Sequence, residues 1–298
     1  MKRRDLFKTA AVGATGALIT PNVAKAQAPQ GAADPNFKIT NKRIKQSVMG
    51  WCFKPMKPET LIQHCVDIGI KGIEGVSRDV YPAARKAGLE ISLVGSHSFK
   101  EGAVDPEKHD MVVSKVEEGI DVAVEYKSNS VITFSGFTPD GIDREQGIKN
   151  CVEGWKKVVG YAEKKGVTIC MEHLNTRDDS HPMKGHPGYF ADDVDLCFEI
   201  VRKIGSPNFK LLFDMYHVQI MNGDIIRRIR ENHELIGHYH TAGNPGRAEL
   251  DDTQEINYPA VMNAILETGY DRFVAQEFIP TWDDPVLALR HGCAVCDV

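Results

Sequence analysis

Val167-Thr-Ile-Cys-Met-Glu172-His-Leu-Asn175 and Phe209-Lys-Leu-Leu-Phe-Asp214-Met-Tyr-His217 are apolar runs that each lead into a carboxylate. Runs this short and this apolar suit strands covered on both faces, as in a parallel sheet flanked by helices. Six further runs share the character: Ser47–Phe53, Gly72–Val76, Glu90–His97, Ser130–Gly136, Leu235–Ala242 and Phe273–Phe278. Between them lie helix-period segments, at Lys108–Tyr126, Glu145–Lys165, Tyr189–Ile204 and Tyr258–Glu267. Glycine follows the helical residues at Gly69, Gly88, Gly166, Gly205 and Gly269, where a left-handed cap is needed. Units of roughly 31 residues match a strand–helix repeat. The pattern predicts an α/β fold, a (β/α)8 TIM barrel in one domain over residues 45–298. A doubly wound dinucleotide-binding sheet is the weaker alternative, because no G-x-G-x-x-G follows the first strand.

Composition agrees with a globular protein: 298 residues, 42% hydrophobic, 26% charged, net charge −5. No apolar run reaches the ~18 residues of a spanning helix, so no membrane span is expected, and no basic footprint for nucleic acid appears. Residues 1–28 have the pattern of a twin-arginine export signal. Arg3-Arg4 precedes a weakly apolar stretch that closes on Ala26-Gln27-Ala28. Periplasmic delivery is the expectation, with residues 29–44 as an N-terminal extension. Cleavage would remove five basic residues and one acid, moving the charge from −5 to −9. Seven cysteines at irregular spacing do not indicate a disulfide framework. Cys293-x-x-Cys296 is expected to be a helix-end pair able to oxidise after export.

The ends of the later strands carry the chemistry-bearing residues. Glu172, Asp214, His240 and Glu277 arrive one per successive strand–helix unit, at the end of a barrel where catalytic groups gather. Three carboxylates and an imidazole converging without a partner would repel, and a divalent cation resolves the conflict. Oxygen-rich donors with one histidine favour Mn2+ or Mg2+, with Co2+ also admitted.

With these residues in place, the chain resembles the hydroxypyruvate isomerase group of the xylose-isomerase-like TIM barrels. That superfamily also holds ketose 3-epimerases, inosose dehydratases and endonuclease IV. The likeness covers roughly residues 45–290. It is carried by Glu172-His-Leu-Asn175, His186-Pro-Gly-Tyr-Phe190, Leu212-Phe-Asp214-Met-Tyr-His217-Val-Gln and Ile236-Gly-His-Tyr-His240. Pro245-Gly-Arg247, Glu255-Ile-Asn-Tyr258 and Glu277-Phe-Ile-Pro complete it. The resemblance implies that Glu172, Asp214, His240 and Glu277 ligate the metal, that Glu172 and Glu277 form the acid/base pair, and that His217 and Arg247 contact substrate oxygens. It departs from the group at His240, where many members carry Gln, and in Ala248-Glu249-Leu-Asp-Asp-Thr-Gln254, which is one residue longer.

The activity implied is an isomerisation that moves a carbonyl between adjacent carbons of a small sugar or hydroxy-keto acid through an enediolate. A ketose 3-epimerase or keto-sugar lyase or dehydratase would use the same site, and a non-catalytic sugar-binding protein is the reading from another class. An endonuclease would need more His and Asp ligands and a cationic groove. His97, Asn175 and Glu249 are further candidates for substrate contact or its support. His217 is expected in a loop past its strand, His238 in the core, and His173 facing the helices without a role. Trp51 and Phe134, at strand ends, are expected in ordinary barrel packing, with a place in the pocket wall as the alternative. A homo-oligomer stays open.

Overall fold

The computed structural model describes residues 33–298. The segment assigned to the export signal lies outside them. Eight strands alternate with helices along the chain: β1 (Lys45–Met49), β2 (Gly72–Glu74), β3 (Glu90–Ile91), β4 (Ser130–Phe134), β5 (Thr168–Glu172), β6 (Phe209–Asp214), β7 (Ile236–Thr241) and β8 (Phe273–Gln276). The helices are α1 (Pro58–Ile68), α2 (Tyr81–Lys86), α3 (His109–Tyr126), α4 (Arg144–Lys165), α5 (Val194–Ile204), α6 (Met215–Met221), α7 (Ile225–Asn232), α8 (Tyr258–Glu267) and α9 (Pro285–Val295).

All pairings are parallel, in the order β3-β2-β1-β8-β7-β6-β5-β4. The ends of that sheet meet at Val94 and Val131, where Val94 N donates to Ser130 O at 3.0 Å and Ile132 N to Val94 O at 3.0 Å. This closes the barrel. The expected third strand to His97 is shorter, because Ser96 and His97 bond to Ile132 O and Thr133 Oγ1 instead of extending the ladder.

Helix ends follow their local chemistry. Asp143 and Asp193 cap α4 and α5 through their side chains, and Gly166 and Gly205 end them in the left-handed region. Strand alternation then sorts the side chains. In β5, Ile169 and Met171 join the layer beneath the helices, while Cys170 joins Leu93, Ile132 and Leu212 inside the bore. Cys170 and Leu212, two residues before Glu172 and Asp214, lie deeper in the bore than those carboxylates, whereas Leu93 and Ile132 line a cavity. The segment before β1 is tied to the C-terminus, where Asp297 accepts from Thr40 N at 2.7 Å and Asn41 N at 3.1 Å.

Among the described residues no helix is long and apolar enough to cross a membrane. All seven cysteines are free and buried, Cys293 and Cys296 included, so the expected pair is not bonded here.

Candidate active site

Glu172 ends β5, Asp214 ends β6, His240 lies on β7 and Glu277 follows β8. Each offers one donor atom, and these atoms lie within 4.8 Å of one another. His240 Nδ1 is 2.6 Å from Glu277 Oε2 and 3.4 Å from Glu172 Oε1. The sequence alternation is therefore obeyed, with all four chains turned into one shared space.

Asp214 does double duty. Its Oδ1 caps α6 by accepting from Tyr216 N at 2.8 Å and His217 N at 3.4 Å. That leaves Oδ2 for Arg247 Nη2 at 3.2 Å and His217 Nε2 at 3.5 Å. His217 thus sits on the first turn of a helix and not in a loop, because the carboxylate that ends β6 also nucleates α6. Asn175 holds its ring: the backbone N–H of Asn175 donates to His217 Nδ1 at 3.1 Å, and its Nδ2 lies 2.7 Å away. A backbone N–H only donates, so Nδ1 accepts and the ring proton belongs on Nε2.

Arg247 enters from the loop after β7. Its backbone takes a left-handed φ of 54°, uncommon for a residue with a side chain and costing about 1–2 kcal/mol. The guanidinium is buried between the rings of Trp51 and Tyr216, 5.5 and 5.6 Å from their centroids. It pairs with Glu277 Oε2 at 2.8 Å as well as with Asp214.

The donor set suits a divalent cation. Glu172 Oε1, His240 Nδ1 and Glu277 Oε2 are buried without a hydrogen-bond partner, the short His240–Glu277 approach lacking hydrogen-bond alignment. Buried polar atoms of this kind are rare and call for an explanation. Three carboxylates and one imidazole, aimed at each other, match a hard or borderline ion. Burial dominates the site's titration. It pushes the Asp214 carboxyl up to about 7 and Glu172 upward. It also opposes ionisation of Glu277, but Arg247 and His240 outweigh it and hold that carboxyl down at about 2. Burial, then Arg247, holds His217 well below the usual imidazole range.

Above the cluster opens a cavity of about 730 Å3, with Glu172, Glu277 and Arg247 at its floor and Trp51, Leu93 and Phe134 in its wall. His97 also lines it, but both ring nitrogens are engaged, Nε2 with Thr133 Oγ1 and Nδ1 with Glu101 O, each at 2.9 Å. Asn175, like His217, Asp214 and His240, is absent from the lining, and it acts on His217. Glu249 is turned elsewhere: its carboxylate accepts from Thr281 N at 2.6 Å, Thr281 Oγ1 at 2.8 Å and Trp282 N at 3.0 Å. It ties the loop after β7 to the loop after β8 and is not a cavity residue. His173 packs away from the cluster, Nε2 against Asp192 O at 2.8 Å.

Glu74, at the end of β2, is the group that sequence reasoning missed. It is fully buried, and its carboxylate meets His240 Nε2 at 2.7 Å and His238 Nε2 at 3.0 Å. The signal was available, since Glu74 is a carboxylate at a strand end like the other three.

Comparison with known proteins bears on what this site does. A model of the xylose isomerase-like TIM barrel family matches residues 62–296. A putative hydroxypyruvate isomerase of Homo sapiens is 30% identical over 216 residues, 67% of this chain and 74% of that one. A 2-oxo-tetronate isomerase of Cupriavidus necator is 32% identical over 153 residues, 51% of this chain and 56% of that one. The solved 3-keto-D-glucoside 4-epimerase of E. coli superposes with a TM-score of 0.70 at 15% identity, over 84% of this chain and 98% of that one, a likeness of fold alone. The chain belongs to the xylose isomerase-like TIM barrel family.

Proposed function

We propose that this protein is a divalent-metal-dependent isomerase, similar to hydroxypyruvate isomerase, that moves a carbonyl between adjacent carbons of a small sugar or hydroxy-keto acid. The observation that carries the reading is the convergence of Glu172 Oε1, His240 Nδ1 and Glu277 Oε2, all buried and none in an aligned hydrogen bond, with Arg247 as an ion-pair partner of Glu277. The names of the relatives support the isomerase class. Mn2+ or Mg2+ suits the oxygen-rich ligands Glu172, Asp214, Glu277 and His240. When bound there, a cation supplies charge stabilisation for oxygens made more negative as a proton leaves the adjacent carbon.

The chain's own residues do the rest. Glu172 and Glu277 come from strands on different sides of the floor and flank the space above it. One carboxylate removes the proton alpha to the carbonyl, and the other returns a proton at the neighbouring carbon. His217, whose Nε2 lies 3.5 Å from Asp214 Oδ2 without hydrogen-bond alignment, donates to a substrate oxygen bound beside that carboxylate. Arg247 binds an anionic or carbonyl oxygen beside Glu277. The apolar wall of Leu93, Ile132 and Phe134 keeps bulk water from the carbanionic intermediate. Arg3-Arg4 and the leader around them support export in the folded state.

Solvent deuterium decides the matter. Purified protein with Mn2+ added is expected to place deuterium on a carbon alpha to the carbonyl of a ketose or hydroxy-keto acid, with the carbonyl relocated. Return of the same carbonyl with inverted C3 would instead make it an epimerase. Exchange that persists in a Glu172→Gln, Glu277→Gln double variant would overturn the acid/base assignment.

A further inference from the structure

We infer that Glu74 is a positioning residue that fixes the ring of His240 from below and aims its Nδ1, rather than its Nε2, at the metal site. The inference rests on the metal reading above and concerns a residue on the opposite side of the bore.

Glu74 and His240 stand on β2 and β7, which are not neighbours in the sheet and meet only across the barrel interior. The Glu74 carboxylate has no exposure and is surrounded by donors. Oε1 takes His240 Nε2 at 2.7 Å, and Oε2 takes His238 Nε2 at 3.0 Å, Ser92 Oγ at 2.5 Å and Ser47 Oγ at 3.3 Å. Those donors come from β7, β1 and the chain just past β3. Gly75 lets the backbone turn away at once: its φ is 61°, and a Cβ there would lie 1.9 Å from Met49 Sδ. The carboxylate therefore has one placement.

The two nitrogens of His240 both face carboxylates but differ in hydrogen bonding. Nε2 faces a carboxylate and is hydrogen-bonded, whereas Nδ1 faces Glu277 and Glu172 and has no aligned partner. Glu74, His238 and His240 also lie within 4.8 Å of one another, yet none of the atoms that face each other there is orphaned. The lower trio is already satisfied, whereas Glu172, His240 and Glu277 of the upper four each keep one atom without a hydrogen bond. This is the arrangement in which a carboxylate holds the far N–H of a ligating imidazole, setting its tautomer and orientation. Histidines at strand positions two apart would otherwise rotate about χ2, which is a broad, two-fold torsion. Glu74 removes that freedom.

The test uses the mature protein, labelled with 15N-histidine, and metal ions alone. In the metal-free protein the His240 Nε2 proton is expected as a slowly exchanging, strongly downfield resonance. It should survive addition of Zn2+, with only Nδ1 acquiring a metal-bound shift. Calorimetry with Mn2+ is expected to show Glu74→Gln binding roughly 10–100-fold more weakly than wild type. Ser92→Ala, which strips a different bond from the same carboxylate, should lower unfolding stability while leaving Mn2+ affinity within about two-fold. Metal-bound Nε2, a missing Nε2 proton in the metal-free protein, or equal affinity loss in both variants would overturn the inference. If wild-type protein took up neither ion, the metal reading itself would fail, and the metal-free resonance would still decide whether Glu74 holds His240.

Discussion

Arg247 Nη2 lies 2.8 Å from Glu277 Oε2, and both groups are almost wholly buried. In the metal-free protein this guanidinium carries the positive charge set against Glu277 and Asp214. Removing one partner of a buried pair leaves the other charge stranded, at a cost of about 3–5 kcal/mol. Arg247→Met is therefore expected to lower metal-free stability by about that amount in urea unfolding. Saturating Mn2+ should recover most of the loss, because a cation replaces the missing charge. An equal deficit with and without Mn2+ would show that the arginine contributes only packing.

Glu249 is expected to behave in the opposite way. Its three bonds all go to Thr281 and Trp282, so Glu249→Ala strands two backbone N–H groups in the interior. The expected loss is about 2–4 kcal/mol. Mn2+ affinity should stay within two-fold of wild type. A large affinity loss at unchanged stability would return this carboxylate to the substrate or metal site.

His186 lines the cavity, its ring tilted against that of Phe99 with centroids 4.3 Å apart. Burial, then Arg247, depresses its imidazole to about 4. The unfolded chain takes up that proton near pH 6.5, whereas the folded chain does so only near 4. The unfolded state thus binds more protons in this window, and stability falls as the pH drops from 6.5 towards 4. His186→Gln should flatten that part of the stability–pH curve measured by urea unfolding. An unchanged slope would mean that the ring is not held neutral.

The seven cysteines are buried, and burial pushes their thiols upward, Cys170 to about 11 and Cys296 to about 12. Thiolate is the reactive form, so Ellman's reagent should find almost no reactive thiol in the native protein. All seven should react in guanidinium. Rapid native labelling, or fewer than seven thiols after unfolding, would reveal a disulfide or an exposed site.

Much of the site was legible beforehand because strand alternation is a local property. Once Thr168, Cys170 and Glu172 are assigned to one face, Glu172 must point into the bore, and the same rule places Asp214 and His240. Glu249 was misplaced because loops have no such period, and its direction is set by Thr281 and Trp282, more than 30 residues later in the chain. The sequence does not reveal that His217 is helical, because the helix-starting role of Asp214 is visible only where its carboxylate accepts from backbone N–H groups.

The amino-acid order alone determined the eight repeats, the inward set on each strand and the four side chains offered at the floor, since these depend on period, apolar runs and glycine caps between near neighbours. Closure of the barrel decided the rest. Only that step carries Glu74 across to His238 and His240, lowers Arg247 between Trp51 and Tyr216, and leaves Nδ1 of His240 facing the carboxylates. Contacts such as that of Glu74 with His240, 166 positions apart, depend on how a curved sheet closes on itself, a geometry that no local pattern encodes.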